Sequence, residues 1–203
     1  MAIKFQYNKT SMQELDKQLK VRERALPTIK SKESALRTEV KKAKNRTNEL
    51  EKEYQRKIES YSKIAGLWVE FDQSLLSIED VDLSVKKIAG VKTPVLEGIK
   101  FKINEFVLFS KPAWYLDGIS ILQDIATIAI EREVAIKKMD MLDTARKKTT
   151  QKVNLYEKVQ IPGFEEAILK IKRFLEDEEN LAKSSQKIVK NRQESLKRKE
   201  NQK

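Results

Sequence analysis

Residues 34–61 read SALRTEVKKAKNRTNELEKEYQRKIESY, with neither glycine nor proline, and their apolar members recur in alternate steps of three and four. Leu36, Val40, Ala43, Leu50, Tyr54 and Tyr61 carry that rhythm. Followed outward, it begins at Met12, Leu15, Leu19, Leu26 and Ile29 and ends at Ile64 and Trp68, with Arg22, Glu33, Thr47 and Lys57 as its polar members. A stripe this narrow, sustained over about eight heptads, is a coiled-coil seam, because a helix packed on a globular core buries a broader face. The run from Thr10 to Ser77 has one glycine, Gly66, and one proline, Pro27. It predicts a single helix, opened by Ser11 and Glu14 as a capping box and roughly 100 Å long at the α-helical rise. Pro27 removes a backbone donor and is expected to kink the first third.

So long a helix needs an equally long partner, and the same chain supplies one. From about Asp117 the positions Ile121, Ile125, Ile128, Arg132, Ala135, Met139, Leu142, Arg146, Thr149, Val153 and Tyr156 repeat the three-four alternation. After a break at Pro162 and Gly163 it resumes with Phe164, Ile168, Ile171, Leu175, Glu178 and Ala182. Folded back on each other, the two seams predict a mainly all-α protein, a long antiparallel two-helix coiled coil. The section Leu83 to Phe109 differs: Leu83 and Val85, then Phe101 and Ile103, alternate around a turn-rich stretch holding Gly90, Pro94 and Gly98. That pattern predicts a short β-hairpin insert. The organisation expected is therefore an N-terminal coiled-coil helix over 1–77, a hairpin and connecting region over 78–116 that closes on the aromatic corner Lys111–Tyr115, and a C-terminal coiled-coil helix with a basic tip over 117–203.

Of the 203 residues, 36% are charged, and 42 Lys and Arg against 31 Asp and Glu leave a net charge of +11. Abundant charge of both signs is the habit of long solvated helices, and the excess favours acidic partners. There is no Cys and no His, so thiolate nucleophiles, cysteine metal sites, disulfides and the commonest general base are missing. The glycines at 66, 90, 98, 118 and 163 never give the spacing of a phosphate-binding loop. The sequence therefore offers no catalytic group, no cofactor site and no metal site. Its most apolar run, Ile119–Ile136, is interrupted by Asp124, Glu131, Arg132 and Glu133, which argues against membrane insertion and for a cytoplasmic location.

Three features invite sharper readings. The run Glu176–Glu179 resembles an acidic cluster, but successive helical residues point about 100° apart, so a solvated face is expected. The basic tip, with Lys183, Lys187 and Lys190, lacks interleaved aromatic residues and carries Glu194 and Glu200, which argues against nucleic acid and leaves a protein partner. Leu122, Ala126, Ile130 and Val134 form an apolar face beside the seam of the second helix. Something must cover it: the hairpin of the same chain, or a second protein that also meets Trp68.

Together these features resemble one family, the D subunits of the V-type and archaeal-type rotary ATPases. Asn8, Lys9 and Thr10 ahead of spaced leucines look like its N-terminus. Lys30, Lys32, Ala35 and Leu36 match Lys-x-Lys-x-x-Ala-Leu, with Glu33 and Ser34 where Arg and Asp are usual. Gly90, Val91 and Pro94 match its hairpin element. Val153, Asn154, Glu157, Val159, Ile161 and Pro162 fit Val-Asn-x-x-Glu-x-Val-x-Ile-Pro, and Ile171, Lys172, Leu175 and Glu176 continue in register. Thr150, Gln151 and Lys152 stand where arginines are expected, and Pro27 is not a general family feature.

The resemblance implies a central-stalk shaft inside a ring of catalytic and regulatory subunits (A and B), clasped by the small F component of the stalk and seated on a membrane-side rotor connector. Such a shaft couples ATP hydrolysis or synthesis to ion translocation, does no chemistry itself, and lies in the cytoplasm peripheral to the membrane. A stand-alone coiled-coil scaffold, a membrane-surface coiled coil and a basic nucleic-acid binder are the alternatives.

Overall fold

The computed structural model describes the backbone of residues 3–105 and 111–200. In chain order it holds helix α1 (Lys9–Tyr61), 3-10 segments Ser62–Val69 and Gln73–Leu75, strands β1 (Leu76–Ile88) and β2 (Val91–Ile103), helix α2 (Tyr115–Leu155), a π-helical turn Tyr156–Gln160, and helix α3 (Ile161–Glu200). The described parts are mostly helical with one antiparallel hairpin between helices, the fold class expected. They form two bodies, Met1–Lys30 with Gln151–Lys203, and Ser31–Thr150.

Helix α1 starts earlier than the capping box suggested. Asn8 is the cap: its side-chain oxygen accepts the Ser11 amide at 2.7 Å. The Ser11 hydroxyl is turned back to accept the Gln6 amide at 3.3 Å. The helix also ends sooner, at Tyr61 in place of Ser77, and passes into 3-10 geometry. Ser60 and Ser62 donate their hydroxyls to the Lys57 and Glu59 carbonyls, both at 2.7 Å, and Gly66 follows, so the α-helical ladder is undermined where it stops. Pro27 stands inside the helix.

Within Ser31–Thr150, residue numbers fall along α2 as they rise along α1. Glu33 accepts from the Thr150 hydroxyl at 3.0 Å, Arg46 pairs with Glu131 at 3.6 Å, Arg132 with Glu51, and Lys57 with Asp124 at 3.0 Å. Leu36 and Leu142 are fully buried and Leu50 nearly so. Burying such a side chain stabilises by about 1.5–3 kcal/mol. Within the other body, Leu15 and Leu19 of α1 pack with Phe164, Ala167 and Ile171 of α3. Here Tyr7 reaches Phe174, ring centres 4.9 Å apart, as the chain enters α1. Past Leu175 no described residue covers the second seam, and the expected members Glu178 and Ala182 are exposed.

The hairpin is longer and its turn tighter than the sequence suggested, with strands of 13 residues each. Pro94 and Gly98 lie inside β2, opposite Val85 and Asp82. Glu79 and Glu97 are extra residues at two bulges, which lets a strand pair this long coil. Residues 106–109, the end of the expected hairpin region, lie outside the described residues. The turn is Ala89–Gly90 with φ of +49° and +81°, the two-positive geometry that matches strand twist. A left-handed alanine is uphill by about 1–2 kcal/mol. Ala89→Asn is therefore expected to stabilise the chain by about 1 kcal/mol, read as a higher urea midpoint; an unchanged or lower midpoint counts against this turn.

Candidate functional site

The passage from α1 to α2 is closed by four aromatic rings. Trp68 meets Phe71 at 5.4 Å and Trp114 at 5.5 Å, and Phe71 meets Tyr115 at 5.1 Å, measured between ring centres. Tyr115 donates its hydroxyl to the Glu70 carbonyl and is buried with Phe71, Leu75 and Ile119. Gly118 makes this closure possible. A Cβ there would lie 2.8 Å from Trp114 Cζ3 and 3.3 Å from Phe71 Cε2, so the rings sit directly on the first turn of α2.

Beyond the rings, the apolar flank of α2 faces the hairpin. Leu122 packs on the aromatic cluster, and with Ala126 it shares a groove of about 270 Å³ with Phe71, Leu76, Ile78 and Phe101. Further along, Val134 and Ala135 share a groove of about 230 Å³ with Ala43, Leu50, Pro94, Val95 and Leu96. Ile130 lies between them in sequence, half-buried. The hairpin tip reaches α1, where the Lys32 ammonium is 3.4 Å from the place of a Gly90 Cβ. The chain's own hairpin thus lies along the face left open in sequence.

What remains bare is different. On the hairpin Leu83 and Val85, opposite Leu96 and Pro94, are 53% and 68% exposed, and Val69 beside Trp68 is 88% exposed. On α3 every described side chain from Glu176 to Ser195 is exposed, including Leu181, Ile188, Val189 and the lysines 183, 187 and 190. Lys183 pairs with Glu179 at 2.7 Å. Among the described residues no three acidic side chains are grouped to hold a metal ion. The alternation in β1 marks the strand, but which of its faces stays bare depends on helices far away in sequence.

The charged seam members Glu33, Lys57, Arg132 and Arg146 have partners. Arg37, chiefly, and Thr150 hold the Glu33 carboxyl below its ordinary value by hydrogen bonding, against a smaller opposing effect of burial. Glu51 is lowered first by Gln55 and then by Arg132. Asp124 raises Lys57 by hydrogen bond and charge. The acids therefore contribute stability above the ordinary carboxylate value of about 4, lost as pH falls through their depressed values. Lys57 contributes below the ordinary lysine value of about 10.4, and this is lost as pH rises through its raised value. With no histidine to titrate between, the urea midpoint is expected to stay flat from about pH 5 to 9 and to fall below about pH 4. A step near pH 6.5 would contradict this.

The profile of the ATP synthase D subunits matches residues 11–191, nearly the whole chain. The chain belongs to the family of ATP synthase D subunits. The D subunit of the V-type ATP synthase of Borreliella burgdorferi is 31% identical over 189 residues, covering 92% of this chain and 94% of its own length. That of Chlamydia pneumoniae is 26% identical over 186 residues, 87% of each chain, and that of Chlamydia abortus 28% over 157 residues, 75% of this chain and 76% of its own. As a member of this family, the chain is a central-stalk component of a V-type ATP synthase, the complex that links ATP turnover to ion movement. No described helix is long and apolar enough to cross a membrane.

Gly118 gives a direct test of the ring closure. Gly118→Ala forces Trp114 or Phe71 to move and is expected to destabilise by about 1–3 kcal/mol, although alanine is the better helix former. Near-ultraviolet circular dichroism should report the tryptophans in a changed setting. A variant as stable as the parent, with an unaltered aromatic spectrum, would show that the rings do not rest on this helix turn.

Proposed function

We propose that the chain is the non-catalytic rotor shaft of its complex, turning inside the ring of catalytic and regulatory subunits and seated on a membrane-side connector, in the cytoplasm. The observation that carries this is the bare end of α3. Leu181, Ile188 and Val189 are exposed on a helix rich in lysine that no described part of the chain covers. Such an end, basic with a thin apolar stripe, fits an acidic-lined socket that it touches without being locked by a large apolar interface. Lys183, Lys187 and Lys190 are its charged contacts. Catalysis then resides in the ring, and the shaft acts by contacting equivalent sites differently as it turns, which shifts their affinities in sequence.

The small F component of the stalk docks beside the aromatic turn, on Trp68 and Val69 and on the outward pair Leu83 and Val85. Leu122, Ala126, Ile130 and Val134 support that surface from beneath the hairpin. Apolar side chains exposed to 53%, 68% and 88% at Leu83, Val85 and Val69 support this assignment.

Rotation is tested by a reversible lock. The chain has no cysteine, and Ser31 is exposed on α1. Ser31→Cys, cross-linked to a cysteine on one catalytic subunit, should stop multi-turnover ATP hydrolysis and ion transport on oxidation and release both on reduction, with nucleotide binding retained. Undiminished turnover with the cross-link verified on a gel would make the chain a scaffold.

A further inference from the structure

The seam of the second helix changes register by one residue, and the structure shows where the extra residue goes. Thr149, Val153 and Tyr156 step by four and three. Continued unbroken, the rhythm would put Gln160, Gly163, Ala167, Lys170 and Phe174 toward the partner helix. Of these Ala167 is buried, but Lys170 and Phe174 are exposed. Phe164 and Ile171 are buried, and Ile161, Ile168 and Leu175 pack with them, so the stripe returns one residue late. One added residue rotates an α-helix by about 100°, which would swing Phe164 and Ile171 away from α1. The turn Tyr156–Gln160 absorbs it. The Ile161 amide donates to the Tyr156 carbonyl five residues back, and the widened turn keeps both stripes on one face. Pro162 comes next; it has no N–H for the Lys158 carbonyl and would crowd it in a tight helix.

The facing helix is interrupted at the same level. Pro27 leaves the Glu23 carbonyl without its helical donor. It lies between Arg22, whose Nε donates to Gln160 at 2.8 Å, and Lys30, 2.6 Å from Glu157. The Arg22 guanidinium sits 4.5 Å over the Phe164 ring. No side chain of α1 is fully buried between Leu19 and Leu36, and none on the second helix between Leu142 and Phe164. Two defects in the backbone ladder thus stand side by side, at a level where the seam residues Leu26, Ile29, Val153 and Tyr156 are only half-buried and long polar side chains bridge the helices.

We infer that Arg22–Lys30 and Glu157–Phe164 form a compliant joint, a short section where twisting and bending of the helix pair concentrate. Its use rests on the shaft function proposed above: a shaft soft at one level lets its ends take up different angles during a step. The joint itself is a property of the chain and is tested on the full-length protein by hydrogen exchange. Amides of Thr28–Ser31 and Lys158–Gly163 should exchange at least about tenfold faster than those of Lys44–Glu51. A mended chain, lacking Val159 and carrying Pro162→Ala and Pro27→Ala, has an unbroken three-four rhythm. It should lose the contrast while keeping its helical circular dichroism. Should that variant not fold, Pro27→Ala alone should slow exchange at Thr28–Ser31. Uniform protection in the parent, or no slowing in Pro27→Ala, overturns the joint.

Its use is read in the assembled ATPase, from the angular fluctuations of a bead on the shaft with the ring locked. A narrower distribution for the mended chain, or for Pro27→Ala, supports the role, and an unchanged distribution overturns it. Failure of the parent to enter the complex would sink the shaft function while leaving the exchange result standing.

Discussion

Everything in this chain depends on a stripe of leucines and isoleucines one or two side chains wide finding its counterpart on a second helix. Apart from the flank of α2 that the hairpin lies along, neither helix has another apolar face broad enough to be buried on a core. The four polar members of the first seam do not weaken this, because each has a partner. Arg22 has Gln160 and Phe164, Glu33 has Thr150 and Arg37, and Lys57 has Asp124. Thr47 returns its hydroxyl to the Ala43 carbonyl at 3.0 Å. A polar residue so placed costs little in burial and fixes which turns of the two helices stand opposite.

The second constraint is the turn between the helices. A two-helix pair can be joined by a short loop, yet here the join contains rings, 3-10 segments and 13-residue strands. Gly118 lets the rings close on α2, and the hairpin then runs along the flank that starts at Leu122. The insert therefore covers apolar surface of its own helix and presents Leu83 and Val85 outward. One hairpin both completes the fold and offers a new edge.

The helices were legible in the sequence because periodicity is a local property repeated many times, and errors at single positions do not matter. Their ends were less so. The capping box at Ser11 was plausible on spacing alone, but Asn8 took the role because its side-chain oxygen reaches the Ser11 amide. The passage into 3-10 geometry after Tyr61 follows from serine hydroxyls whose direction no pattern of apolar residues encodes. The break at Pro162 was visible, though its form was not. A proline and a glycine together usually mean the end of a helix, whereas here a π turn carries the helix through and shifts it by one residue. Candidate contact residues were hardest to place, since exposure at Leu122 or Leu83 is decided by what packs across from them.

The last stretch of α3 has one more consequence. Over Glu176–Ser195 every side chain of α3 is exposed, and the helix is held by its own ladder and by pairs such as Lys183 with Glu179. A helix with no packed face lacks the tertiary contacts that supply most helical stability, so it is only partly formed in free solution. The fraction of molecules in which it is formed multiplies directly into the apparent affinity for any socket. A receptor that grips this end is therefore also its folding template. The strength of that grip becomes tunable by anything that changes helicity, including ionic strength acting on lysine–glutamate pairs a turn apart.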